Sequence, residues 1–161
     1  MNMIQTFYKS AGFAALLLAS GLSLAGQKID QTLATDADGR VSIDVLSGEV
    51  KIIAWDKNEV RVAGELSDEA EGYQFEVSSG RVVFEVEMPK QKWGKWKDDG
   101  SILTFWVPKT NDLRFEGVNV DVQASGIQGG SRLNSVNGDI EVSKLAGRIM
   151  IETVNGEIKA T

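Results

Sequence analysis

Three groups of side chains in this 161-residue sequence have the types and spacing that chemistry needs. The first is the loop from Pro89 to Gly100, where four lysines and two tryptophans fall within eight residues. Its candidate ligand-binding residues are Lys92, Trp93, Lys95, Trp96 and Lys97. An indole offers a stacking or interfacial face and an ammonium offers charge, so the pairing suits an anionic polysaccharide, a lipid headgroup layer or an acidic partner. The bland reading is a solvated hairpin whose rings fold over an open end of the core while the lysine stems cover the rest.

The second group is a column of carboxylates, Asp121, Asp139 and Glu157, spaced 18 residues apart. Stacked acids repel one another, and a divalent cation would relieve the repulsion. The glycine-rich nonapeptide pattern of calcium-binding rolls is missing, however, and outward carboxylates are screened by water and salt. No metal or other cofactor is implied. The third group, Asp121, Asp139, Glu141 and Arg148, contains the residue types with which a polysaccharide lyase or hydrolase works. Nothing in the spacing singles out an acid and a base, so no catalytic residue is assigned. With no His and no Cys in the chain, an imidazole base, a thiolate nucleophile and an imidazole zinc site are all excluded.

The elements that must carry these groups are strands. Period-two alternation rich in Val, Ile and Phe recurs at Val41–Val45, Val50–Ile52, Val60–Val62, Phe75–Val77, Phe84–Val86 and Ile140–Val142, with Gly between the runs. Shifted on itself by 18 residues, the chain matches three times. Val118-Asn119-Val120-Asp121-Val122 falls on Val136-Asn137-Gly138-Asp139-Ile140, and that on Val154-Asn155-Gly156-Glu157-Ile158. Leu113, Ser131 and Ile149 form one column, and Phe115, Leu133 and Ile151 another.

A unit this short cannot bury an apolar face alone. Stacking solves the problem, because equivalent residues then lie about 4.8 Å apart and the inward columns become a continuous core. The spacing predicts an all-β fold, a parallel β-solenoid of about 18 residues per coil with two strands each. Asn-Gly is expected at left-handed corners, and apolar spacing that widens to three, as from Ile151 to Val154, marks those corners. The Asn column, Asn119, Asn137 and Asn155, reads first as a ladder of stacked amides and only second as a ligand-recognition row. An earlier echo, Leu46-Ser47-Gly48-Glu49-Val50-Lys51-Ile52, precedes a less regular part expected to form a β-hairpin against the start of the solenoid.

Residues 1–25 have the anatomy of a secretory signal peptide, with Lys9, an apolar run from Ala11 to Leu18, and small residues at Ser23 and Ala25. Residues 26–161 are expected to be one solenoid domain ending in mid-coil, with no transmembrane span after cleavage. Without Lys9 the 17 basic residues fall by one against 23 acidic ones, a mature net charge of about −7. Such a charge disfavours nucleic acid and anionic lipid at long range. With no cysteine, burial and backbone hydrogen bonding alone must hold an exported fold.

Together, the leader, Leu-Ser-Gly-Glu-Val-Lys-Ile with its downstream Val-Arg-Val strand, Phe-Trp-Val-Pro-Lys and the Val-Asn-Gly-Asp-Ile units resemble the bacterial putative-adhesin family, a domain of unknown function, over roughly residues 43–161. The resemblance implies an exported β-solenoid of the cell envelope and carries over no catalytic residues. Val120 departs from the usual Gly of the unit, and Ser131 places a hydroxyl in an inward column. The functional expectation is a non-enzymatic scaffold or adhesion surface in the periplasm, envelope or outside the cell, with an envelope component or polysaccharide as partner. A carbohydrate-active enzyme on the same scaffold is the alternative, and end-to-end self-association of solenoids is a third reading.

Overall fold

A computed structural model describes residues 26–90 and 100–161. Every regular element in them is a strand: β1 (Lys28–Ala34), β2 (Arg40–Trp55), β3 (Glu59–Glu65), β4 (Gly72–Ser78), β5 (Arg81–Glu87), β6 (Ser101–Pro108), β7 (Asp112–Ser125), β8 (Ser131–Asn137), β9 (Ile140–Ser143), β10 (Ile149–Asn155) and β11 (Ile158–Ala160). The leader at residues 1–25 lies outside the described residues. No helix among those described is long and apolar enough to cross a membrane.

The strands form one open, mixed sheet organised by two long strands, β2 and β7, which pair in parallel over most of their length. One arm contains β4, β5, residues 40–45 of β2, residues 112–117 of β7, β8 and β10. The other contains β1, β3, β6, residues 48–55 of β2, residues 119–125 of β7, β9 and β11. The arms face each other across the core, where Phe84 of β5 meets Phe105 of β6 edge-on, with ring centroids 4.9 Å apart. Tyr73 and Phe75 of β4 pack on the other sides of Phe84.

The 18-residue columns fall in register. Leu113 pairs with Ser131 and Ser131 with Ile149; Phe115 pairs with Leu133 and Leu133 with Ile151; Val122 pairs with Ile140 and Ile140 with Ile158. Phe115, Leu133 and Ile140 are fully buried, and burying each such side chain contributes about 1.5–3 kcal/mol. The pairing is not parallel throughout, because β1–β3, β3–β6 and β4–β5 are antiparallel. Of these pairs only β4–β5 is a direct chain reversal, which a two-residue loop makes without the crossover that a parallel neighbour needs; β2 intervenes between β1 and β3, and β4 and β5 between β3 and β6.

The echo lies next to β7. Ser47 pairs with Asn119, Glu49 with Asp121 and Val50 with Val122, an offset of 72 residues, or four repeats. The intervening chain loops out and returns as β5 and β6 on the opposite edge of β2.

The corners also differ from expectation. Asn137 lies within β8 and takes no left-handed conformation; Gly138 alone turns, at φ +143°, and a Cβ there would sit 2.1 Å from the Val120 carbonyl oxygen. Gly48 meets the same constraint, at φ +122° with Ser101 oxygen 2.0 Å from a would-be Cβ. Val120, which replaces Gly in this column, is fully buried and fills the inside of its corner. Val136 and Val154 point outward instead, and Val154 is 75% exposed.

Candidate functional site

The polar residues of the repeat are used in building the stack. The Asn137 amide donates to Asn119 Oδ1 at 2.7 Å, and the Asn155 amide donates to Asn137 Oδ1 at 2.8 Å. The acids form a second ladder. Backbone N–H of Asp139 donates to Asp121 Oδ1 and that of Glu157 to Asp139 Oδ1, each at 2.8 Å. Each of these is a charge-assisted hydrogen bond between successive repeats, and it offsets the repulsion along the column. On the inner side of the corner, the Ser135 hydroxyl donates to Val120 O and the Thr153 hydroxyl to Gly138 O, both at 3.1 Å.

These bonds bear on the residues considered for polysaccharide cleavage. Asp121 and Asp139 are structural acceptors, and Glu141 stands in a neighbouring outward column between Gln123 and Lys159. Arg148 lies at the start of β10 on the other arm, so the structure does not bring it to those carboxylates. No cluster of three or more metal-ligating side chains occurs among the described residues.

What remains free for chemistry lies on the outer faces. On the first arm, Glu85, Asp44 and Glu116 stand side by side on adjacent parallel strands. Loss of solvent contact, followed by repulsion from Glu85 and Glu116, pushes the Asp44 carboxyl above its usual range. Beside this acidic row lie two successive rows that carry arginine. Arg40 pairs across the ladder with Arg81, and Arg114 pairs with Arg132. Arg40, Arg114, Arg132 and Arg148 line a cleft of about 320 Å³ with Asp112, Gly129, Gly130 and Met150.

On the second arm, Trp55 and Trp106 sit half-buried with ring centroids 6.4 Å apart and planes inclined at 36°. The Trp55 indole N–H donates to Glu59 O at 2.7 Å, which fixes the ring. Lys57 Nζ lies 4.8 Å from the Trp55 ring centre and the Arg61 guanidinium 4.9 Å from that of Trp106. Arg61 is itself held by a bidentate bond to Asp30, 2.9 Å on each side, and that guanidinium holds the Asp30 carboxyl below its usual range. This is an aromatic surface with its own cations.

No family model and no curated protein matches the chain. Among solved structures it is similar to a "putative cell adhesion protein" from Clostridium sporogenes, at 9% identity over 83% of this chain and 99% of that one, with a TM-score of 0.54. It is also similar to a "putative adhesin" from Parabacteroides distasonis (14% identity, 84% and 68% of the two chains, TM-score 0.44) and to a "putative lipid binding protein" from the same species (12%, 84% and 63%, TM-score 0.33). The first of these likenesses is one of fold.

The predicted ligand loop, with Lys92, Trp93, Lys95, Trp96 and Lys97, lies outside the described residues. Its flanks are placed: β5 ends at Glu87, and Gly100 packs against the backbone of Ser47 and Gly48 where β2 passes from one arm to the other. The Trp55–Trp106 pair and the arginine row went unread in the sequence. The 18-residue shift that aligns Arg114 with Arg132 contained the signal for the second, whereas nothing periodic connects Trp55 to Trp106.

Proposed function

We propose that the chain is a non-enzymatic protein of the bacterial envelope, exported by its leader, a β-solenoid scaffold whose outer faces and Lys/Trp loop form an adhesion or interaction surface. One observation carries this reading: the repeated polar side chains are consumed in coil-to-coil ladders, Asn137 to Asn119 and Asp139 N–H to Asp121. Residues spent in this way specify a stack and leave the outward columns free to vary. The fold likeness to a protein described as a cell adhesion protein points the same way. In this reading Trp93 and Trp96 supply the contact faces and Lys92, Lys95 and Lys97 the charge, in the segment between β5 and Gly100, which packs beside Gly48.

The test is incubation of the purified protein with a panel of envelope polysaccharides, scored for retention and for chain length. Retention of intact chains supports the interaction surface, and shortened chains support the carbohydrate-active alternative. Trp93→Ala with Trp96→Ala should remove retention while leaving the circular dichroism unchanged; full retention discards the loop assignment.

A second reading, self-association, is favoured by the edge at β10 and β11. Ile149 and Ile158 belong to inward columns yet are each 46% exposed, and neither strand has a partner on its outer side among the described residues. Exposed apolar side chains beside unpaired backbone groups form a template for strand addition. Light scattering between micromolar and millimolar protein decides it: a constant monomer mass refutes the reading.

A further inference from the structure

Five of the six arginines in the chain, Arg40, Arg81, Arg114, Arg132 and Arg148, come to one outer face of the first arm, although the protein is acidic overall. No lysine lies in that arm's strands. Arg81 and Arg40 are cross-strand neighbours, as are Arg114 and Arg132, so like charges stand one interstrand step apart. Such pairs are destabilising unless something opposes them. Arg40 has Asp112 at 3.5 Å and Arg114 has Glu116 at 2.6 Å. Arg81, Arg132 and Arg148 have no ion-pair partner among the described residues. The cleft holds four guanidinium groups against the one carboxylate of Asp112. Its floor is kept open at Gly130, where a Cβ would sit 3.0 Å from Asp112 Oδ1.

We propose that this cleft, centred on Arg132 and Arg148, binds the acidic sugars of a linear anionic polysaccharide; the assignment rests on the interaction-surface reading above and names its ligand class. Guanidinium is the group whose planar fork matches an oxyanion in two-point fashion, and its segregation from lysine here favours carboxylate, sulfate or phosphate recognition over general charge attraction. The row runs from Arg148 past Gly130 and Asp112 to Arg40 and Arg81 across five neighbouring strands, roughly 19 Å at about 4.8 Å per step, with Asp36 and Asp38 beside its Arg81 end. A polymer chain can lie along such a row. An anionic bilayer is the poorer fit, because a plane laid on this face would also meet the acidic row of Glu85, Asp44 and Glu116 alongside.

The experiment is a binding titration of polygalacturonate, with neutral dextran and phosphatidylglycerol vesicles in parallel, against the wild type, Arg132→Gln/Arg148→Gln and Lys28→Gln/Lys51→Gln. The last variant removes the same charge from exposed positions on the other arm. Polygalacturonate is expected to bind the wild type and the lysine variant alike and to weaken at least about tenfold with the arginine variant, with dextran silent. Both arginines are exposed, so the arginine variant should keep the wild-type melting temperature. Equal loss in the two variants, no loss in either, or tighter binding to the vesicles overturns the proposal. If the wild type is retained on other envelope polysaccharides but ignores polygalacturonate, the cleft assignment falls and the broader reading stands. If it is retained on none, the broader reading falls as well.

Discussion

Leu133→Ala, set beside Ile151→Ala, tests whether the stacked columns carry the stability of the fold. Leu133 is fully buried, in register between Phe115 on one side and Ile151 on the other. Truncation therefore opens a cavity walled on both sides along its column, and large-to-small changes of this kind cost about 2–5 kcal/mol. Collapse is limited because the backbones of β7 and β10 are pinned by ladder bonds, which places the expected loss near 3 kcal/mol. Ile151 has the same column on one side and no strand on the other among the described residues, and it is only half-buried. Its truncation removes packing on one side and leaves water to fill the rest, so about 1–1.5 kcal/mol is expected. Urea unfolding at neutral pH gives both values from the shift in midpoint at unchanged slope, and the larger one corresponds to a fall of roughly 10 °C in melting temperature. Equal losses for the two variants, or less than about 1 kcal/mol for Leu133→Ala, would refute the reasoning, because either outcome means that the column is not a continuous dry core.

Gly138→Ala should destabilise by about 1–3 kcal/mol in the same assay, since φ +143° and the Val120 carbonyl 2.1 Å from the new Cβ each force the corner to move. Asn137→Ala removes one donated and one accepted amide bond at exposed positions and should cost about 1 kcal/mol, with Asn137→Asp at least as costly because it loses the donor to Asn119. Asp44→Asn should raise stability at pH 7. The folded-state pKa of Asp44 is raised, so the folded chain holds its proton more tightly than the unfolded chain, and the Asp44 contribution improves as pH falls from neutral towards the ordinary carboxylate value of 3.8. The gain from Asp44→Asn should thus be largest at neutral pH and shrink on acidification; a gain that grows as pH falls would contradict the assignment.

The C-terminal half was legible because one constraint acts on every repeat. Stacking repeats the same inward, corner and outward positions, so an 18-residue shift of the chain on itself is also a map of its cross-strand pairs, Leu113 to Ser131 and Phe115 to Leu133. The echo at Ser47 was readable as a copy, yet its place beside β7 was not, because the insertion that forms β3 to β6 hides an offset of four whole repeats. β1 gave little signal, since an edge strand with one face in water shows only Ile29 and Leu33 between Lys28, Asp30 and Gln31. The widened spacing from Ile151 to Val154 marked a corner; Val154 itself is still in β10, one residue past Thr153, whose hydroxyl bonds on the inner side, and its own side chain points to solvent.

The two charged columns show how a stack separates structure from recognition. Asp121, Asp139 and Glu157 carry like charges one repeat apart, and the repulsion is answered inside the fold, because each of the first two carboxylates accepts the backbone N–H of the repeat that follows. Their positions are therefore held by the geometry of the repeat itself. Arg114 and Arg132 repeat at the same interval on the other arm, and there the fold supplies no equivalent answer, since a guanidinium has only donors and the outward face of a parallel ladder offers no free backbone acceptor. Arg114 is balanced by Glu116, two residues along its own strand; the corresponding residue for Arg132 is Asn134, which is uncharged. One member of the repeat has thus lost its internal counter-charge while keeping its cation, next to Arg148 and an open floor at Gly130. Stability alone does not favour that combination, whereas an external anion seated in the cleft would complete it.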